Sequence, residues 1–198
     1  MNSMSTQTWI IAGAVAVLLL VALVVWAAFR KRQSGMLEQR FGPEYQRTVL
    51  DLGSRTKAET ELKARKSRVE QLNLVALTAA ETARFNLAWS ALQGRFVDNP
   101  KGVVVQADQL VRELMLARGY PVADFERRAA DISVDHPAVV ENYRAAQAVA
   151  VRDQRGEADT EEQRKAVVHY RALFDELLED KAAVSRPIIP TSQVEVHS

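Results

Sequence analysis

The residues best placed to do chemistry in this chain are Asp135 and His136, followed directly by Pro137. An imidazole beside a carboxylate can serve as a general base when a substrate proton lies within hydrogen-bond reach. Tyr120 or Tyr143, from neighbouring helices, could complete such a site. The same run also reads as punctuation, with Asp135 or His136 capping a helix that Pro137 begins. No Gly-x-Ser-x-Gly elbow accompanies it, so an acyl-transfer triad has no support.

Metal and phosphate chemistry fare no better. The chain has three histidines and no cysteine, which removes thiol chemistry and the commonest zinc ligands. His169, beside Tyr170, has neither His-Glu-x-x-His nor Glu-x-x-His spacing, and His197 stands near the C-terminal end. No glycine-rich phosphate loop is present. The acidic residues Glu161, Glu162, Asp175, Glu176, Glu179 and Asp180 do not follow the calcium-loop pattern, and read as flanks of a solvated face. The expectation is no catalytic residue, no cofactor and no metal.

The elements that would position these residues begin with an apolar run. Trp9 to Phe29 holds no charged residue and ends directly in Arg30-Lys31-Arg32. As a helix it would be about 31 Å long, enough for a hydrocarbon core of about 30 Å. In lipid a lone segment can satisfy its backbone only as a helix. Trp9, Trp26 and Phe29 lie near its ends, where aromatic rings favour the headgroup zone. Residues 1–8 carry no Lys or Arg and the apolar core is long, so a retained single-pass anchor fits better than a cleaved signal peptide. Ala12 and Ala16 form a small-x-x-x-small pair that would let two anchors approach.

The flanking charges predict orientation. With Arg30, Lys31, Arg32 and then Arg40 on one side only, the N-terminus is expected outside and the soluble domain in the cytoplasm. Arg30, Lys31 and Arg32 are also the expected headgroup contacts. The expected organisation is a short tail over 1–8, a transmembrane helix over 9–29, a basic linker over 30–35, a helical domain over 36–180 and a disordered tail over 181–198.

All 26 Lys+Arg and 25 Asp+Glu follow the apolar run. Setting aside Arg30, Lys31 and Arg32 leaves 23 against 25, a balance that argues against nucleic-acid binding. The fold expected is all-α: the anchor, then an irregular bundle of about six helices. Leu37, Phe41, Tyr45, Val49 and Leu52 keep helical spacing across a break at Gly42-Pro43. Ala58, Leu62, Val69 and Leu72 form a narrow stripe on a charged helix from Thr56 to Leu72, too short in heptads for a coiled coil.

Thr78 and Glu81 form a capping box before a stripe of Phe85, Trp89, Leu92 and Phe96. Asn99-Pro100 opens the next helix, with Val103, Ala107, Leu110, Val111 and Leu114 facing inward as far as Gly119. Tyr120-Pro121 is expected to open a short helix containing Val122, Phe125 and Ala129. Val139, Val140, Tyr143, Ala146 and Ala150 mark another, closed by Gly156. Thr160 and Gln163 read as the capping box of the last helix, which carries Val167, Tyr170, Phe174, Leu177 and Leu178.

Four segments carry a family resemblance: Arg40 to Tyr45, Arg95 to Pro100, Arg118 to Val122 and Asp131 to Pro137. Together they resemble a family of uncharacterised bacterial membrane-anchored or exported helical proteins, over roughly residues 36–178. The resemblance implies a bacterial source and a helical domain beside a membrane, and assigns no activity, cofactor or catalytic residue. Three functions are in view. The first is a membrane-tethered interaction or adaptor module without catalysis, touching the bilayer and an unspecified protein partner, its oligomeric state open. The second is a binder of anionic headgroups, using Arg30-Lys31-Arg32 and the basic residues Lys63, Arg65, Lys66 and Arg68. The third is an enzyme using Asp135 and His136.

Overall fold

A computed structural model of the chain describes residues 6–121 and 123–179, without the side chains of 6–14, 26 and 30. Within the described residues it is all-α, with eight helices and no strand. They are α1 (Thr6–Phe41), α2 (Pro43–Leu52), α3 (Arg55–Glu70), α4 (Ala79–Gly94), α5 (Pro100–Ala117), α6 (Phe125–Asp135), α7 (Val140–Gln154) and α8 (Thr160–Glu179). The chain divides into two compact units, Met1–Lys63 and Ala64–Ser198, where the sequence suggested one domain.

In the first unit α1 runs unbroken for 36 residues, so the expected linker over 30–35 is itself helical. Its apolar part is exposed: Val15, Val17 to Val21, Leu23 to Val25 and Phe29 all face solvent. Among the described residues no helix is long and apolar enough to cross a membrane. The transmembrane helix expected over 9–29 is therefore unsupported by the described residues. Ala12, Trp9 and Trp26, named for that helix, have side chains outside them, as do the tails over 1–5 and 180–198 with His197.

Helix α1 ends where the sequence places a stop. Gly42 takes a positive φ of 50°, Pro43 opens α2, and α1 packs against α2 with Leu37, Phe41 and Tyr45 buried. Gly53 closes α2 in the left-handed region. Leu52 was expected in this stripe, yet it is exposed.

The second unit packs α8 against α5 and α7, α4 on α5, and α6 on α7. The aromatic stripe of α4 is core, as its period implies: Phe85 and Trp89 are buried, and both rings meet Phe174 of α8, at centroid distances of 6.4 Å and 4.6 Å. Phe96 is only half-buried. The Thr78–Glu81 capping box and the Asn99–Pro100 start are both present.

Three boundaries differ from expectation. Helix α6 begins at Phe125 with Asp124 as its N-cap, rather than at Tyr120-Pro121; Val122 lies outside the described residues. Pro137 does not begin a helix: α6 ends on Asp135 with His136 as its C-cap, and α7 starts at Val140. The capping box of α8 is Asp159 with Glu162, each side chain bonding the other's backbone N–H at 2.8 and 3.1 Å. Gln163 instead donates to Asp153 Oδ1 at 2.7 Å.

Candidate functional site

The clearest concavity in the second unit lies along α5. Gln109, Arg112, Glu113, Met115 and Leu116 form one wall of a cleft of about 380 Å³, with Pro121, Ala123 and Arg128 opposite. The turn at Gly119 creates it. Gly119 sits at φ 92°, and a Cβ there would come within 2.4 Å of the Asn73 carbonyl oxygen, so the position suits glycine on both counts. The chain leaves α5 with Tyr120 N–H on Met115 O at 3.0 Å and runs to the Asp124 cap, holding 121 and 123 away from the helix that precedes them.

Two guanidinium groups edge the cleft, in different states. Arg112 is ion-paired with Asp108 at 3.0 Å, one turn back on α5. Arg128 donates through Nε to the Tyr143 hydroxyl at 2.9 Å and through Nη1 to the Ala123 carbonyl. Both acceptors are neutral, so a part-buried cation stands without a carboxylate among the described residues. The Tyr170 hydroxyl donates to Asp108 Oδ1 at 3.3 Å, and its ring lies 6.3 Å from that of Tyr143.

Burial pushes the Tyr143 hydroxyl above the ordinary tyrosine range, outweighing the opposing bond from Arg128. Burial raises Tyr170 too, and Asp108 adds to it. A phenol acting as a base would need the opposite shift.

The residues singled out in sequence lie elsewhere. His136 is buried, its backbone N–H on Ile132 O at 2.8 Å and its Nδ1 3.1 Å from Glu176 Oε1 of α8. Asp135 is half-buried at the end of α6. Neither lines the cleft. Tyr143 accepts from Arg128 at 2.9 Å, and Tyr120 is buried at the turn after α5. His169 Nδ1 lies 2.9 Å from Asn142 Oδ1 and links α8 to α7. Among the described residues no group of His, Cys, Asp and Glu is arranged to hold a metal ion.

Lys31 and Arg32 are exposed on α1, and the side chain of Arg30 lies outside the described residues. The basic residues of α3 do not make a free cationic face. Lys63 donates to Gln33 at 2.7 Å, Lys66 pairs with Glu70 at 3.3 Å, and Arg68 is 3.1 Å from the buried Asp131.

A second polar cluster, in the first unit, was not visible in sequence. Glu59 of α3 accepts from Ser34 of α1 at 2.5 Å and from Tyr45 of α2 at 3.0 Å, while Arg55 stands 3.4 Å away. Every member has a partner, so it is a joint among helices rather than a binding site. Of the cleft, the sequence offered one trace, the Asp108–Arg112 pair at i,i+4 on α5. Comparison of the chain with protein-family models, curated proteins and solved structures finds no match.

Proposed function

We propose that this chain is a membrane-tethered helical adaptor that works by binding rather than by catalysis. The observation that carries the tether is the exposed apolar surface of α1. From Val15 to Val25 apolar side chains follow one another at successive 100° steps, so they cover the whole circumference. A helix apolar all round needs lipid or protein about it. The uncharged sequence continues back to Trp9 and forward to Phe29, and Lys31 and Arg32 follow, which supports a bilayer as that surrounding with the second unit on the cytoplasmic side. The resemblance to bacterial membrane-anchored helical proteins belongs to the same proposal. Headgroup binding then rests on Arg30, Lys31 and Arg32, since Lys63, Lys66 and Arg68 have partners in the chain.

The reading as a binding module rests on the cleft, whose lining mixes polar and apolar side chains. The tether is tested by alkaline carbonate extraction of membranes from bacteria expressing the full chain. The chain should stay in the pellet and survive protease added outside intact cells. Release into the supernatant overturns the tether, and digestion from outside overturns the orientation. Replacing Leu19 and Leu20 by Arg should shift the chain toward the supernatant, each charge costing about 2.5–3.5 kcal/mol at mid-bilayer.

A further inference from the structure

We propose that the cleft along α5 binds a small organic acid: one carboxylate on a short apolar body. The charge follows from Arg128. Its two acceptors, the Tyr143 hydroxyl and the Ala123 carbonyl, are neutral, and a part-buried guanidinium gains most from an anion in fork geometry. Arg112, on the facing wall, is already shared with Asp108 at 3.0 Å. A second negative charge on the ligand would meet Glu113, so the site suits a single one.

The apolar body follows from the rest of the lining. Leu116 is 48% exposed beside Pro121 and Ala123, so a short hydrocarbon could cover it. A volume of about 380 Å³ is that of a small-molecule site rather than a macromolecular interface. The site belongs to the second unit alone and stands whether or not α1 enters a bilayer.

The test is calorimetric titration of the full chain in lipid nanodiscs with sodium hexanoate, empty nanodiscs serving as reference and hexanamide as the uncharged probe. Saturable heat with hexanoate and none with hexanamide is expected. Arg128→Gln should weaken hexanoate at least tenfold, and Leu116→Glu, which places a like charge among the apolar side chains of the lining, should abolish its binding. Exposed Val97→Gln, outside the cleft lining, should change nothing. No saturable heat beyond the empty discs, equal binding of hexanamide, or unchanged affinity in Leu116→Glu overturns the proposal. Should Arg128→Gln fail to fold, Leu116→Glu decides, because its half-exposed side chain leaves the core intact.

Discussion

Ser34 Oγ donates to Glu59 Oε1 at 2.5 Å, joining α1 to α3 through a carboxylate that is almost wholly buried. Burial alone would raise this carboxyl, but the bonds from Ser34 and Tyr45 and the charge of Arg55 outweigh it, and the group titrates below the ordinary range. A depressed native value means the carboxylate stabilises the fold in full above the unfolded value of about 4.3 and ceases to do so as pH falls through the native one. Glu59→Gln should therefore flatten the stability profile below about pH 4.5 and cost about 1–3 kcal/mol at neutrality. Hydrogen exchange of the α3 amides between pH 3 and 7 reads both. An unchanged acid limb would show that another group governs it.

The start of α8 offers a sharper contrast. Asp159 Oδ1 accepts from the Glu162 N–H at 2.8 Å, so Asp159→Ala should cost about 1 kcal/mol. Thr160→Ala, one residue on, should stay within about 0.5 kcal/mol, the range of an exposed site without a cap. Urea denaturation followed by helical circular dichroism measures both, and equal losses would reinstate Thr160 as the cap.

Why was one box read one residue late? Thr160-x-x-Gln163 and Asp159-x-x-Glu162 overlap, and both suit a cap in isolation. The choice is tertiary, because buried Asp153 of α7 takes the Gln163 amide at 2.7 Å. Where local chemistry suffices, as at Thr78–Glu81, Asn99-Pro100 and Gly42-Pro43, sequence and structure agree. The turn at Gly119 lies against the backbone of Asn73, 46 positions earlier, and Val75 N–H bonds Arg118 O, so no local rule reports it. The cleft was illegible for the same reason: Arg112 and Arg128 are set on one concavity by that turn, and the sequence showed only two arginines in different helices.

Two glycines should respond in opposite directions to alanine. Gly119→Ala forces a side chain into a left-handed backbone with its Cβ 2.4 Å from a carbonyl oxygen, and should cost about 1–3 kcal/mol. Gly35 lies within α1 with nothing within 4 Å of an added Cβ. Gly35→Ala should stabilise that helix by about 0.5–1 kcal/mol. Thermal melts of the full chain in detergent compare the two. A stabilising Gly119→Ala would mean the loop moves aside without cost.

Asp131 of α6 is 2% exposed, with Arg68 Nη2 3.1 Å from Oδ1 and Arg127 Nε 3.6 Å from Oδ2. Most ion pairs here lie at the surface and contribute under about 1 kcal/mol; this one is set apart by the burial of its acid. Arg68→Met leaves a desolvated carboxylate with the weaker partner alone, and should cost about 2–4 kcal/mol. Replacing both as Arg68→Met and Asp131→Leu removes the stranded charge, so the double variant should recover most of that loss. A thermodynamic cycle over the four proteins measures the coupling. If the double variant is as unstable as the two single losses added together, Arg68 supports the fold through its packed hydrocarbon stem rather than through its charge.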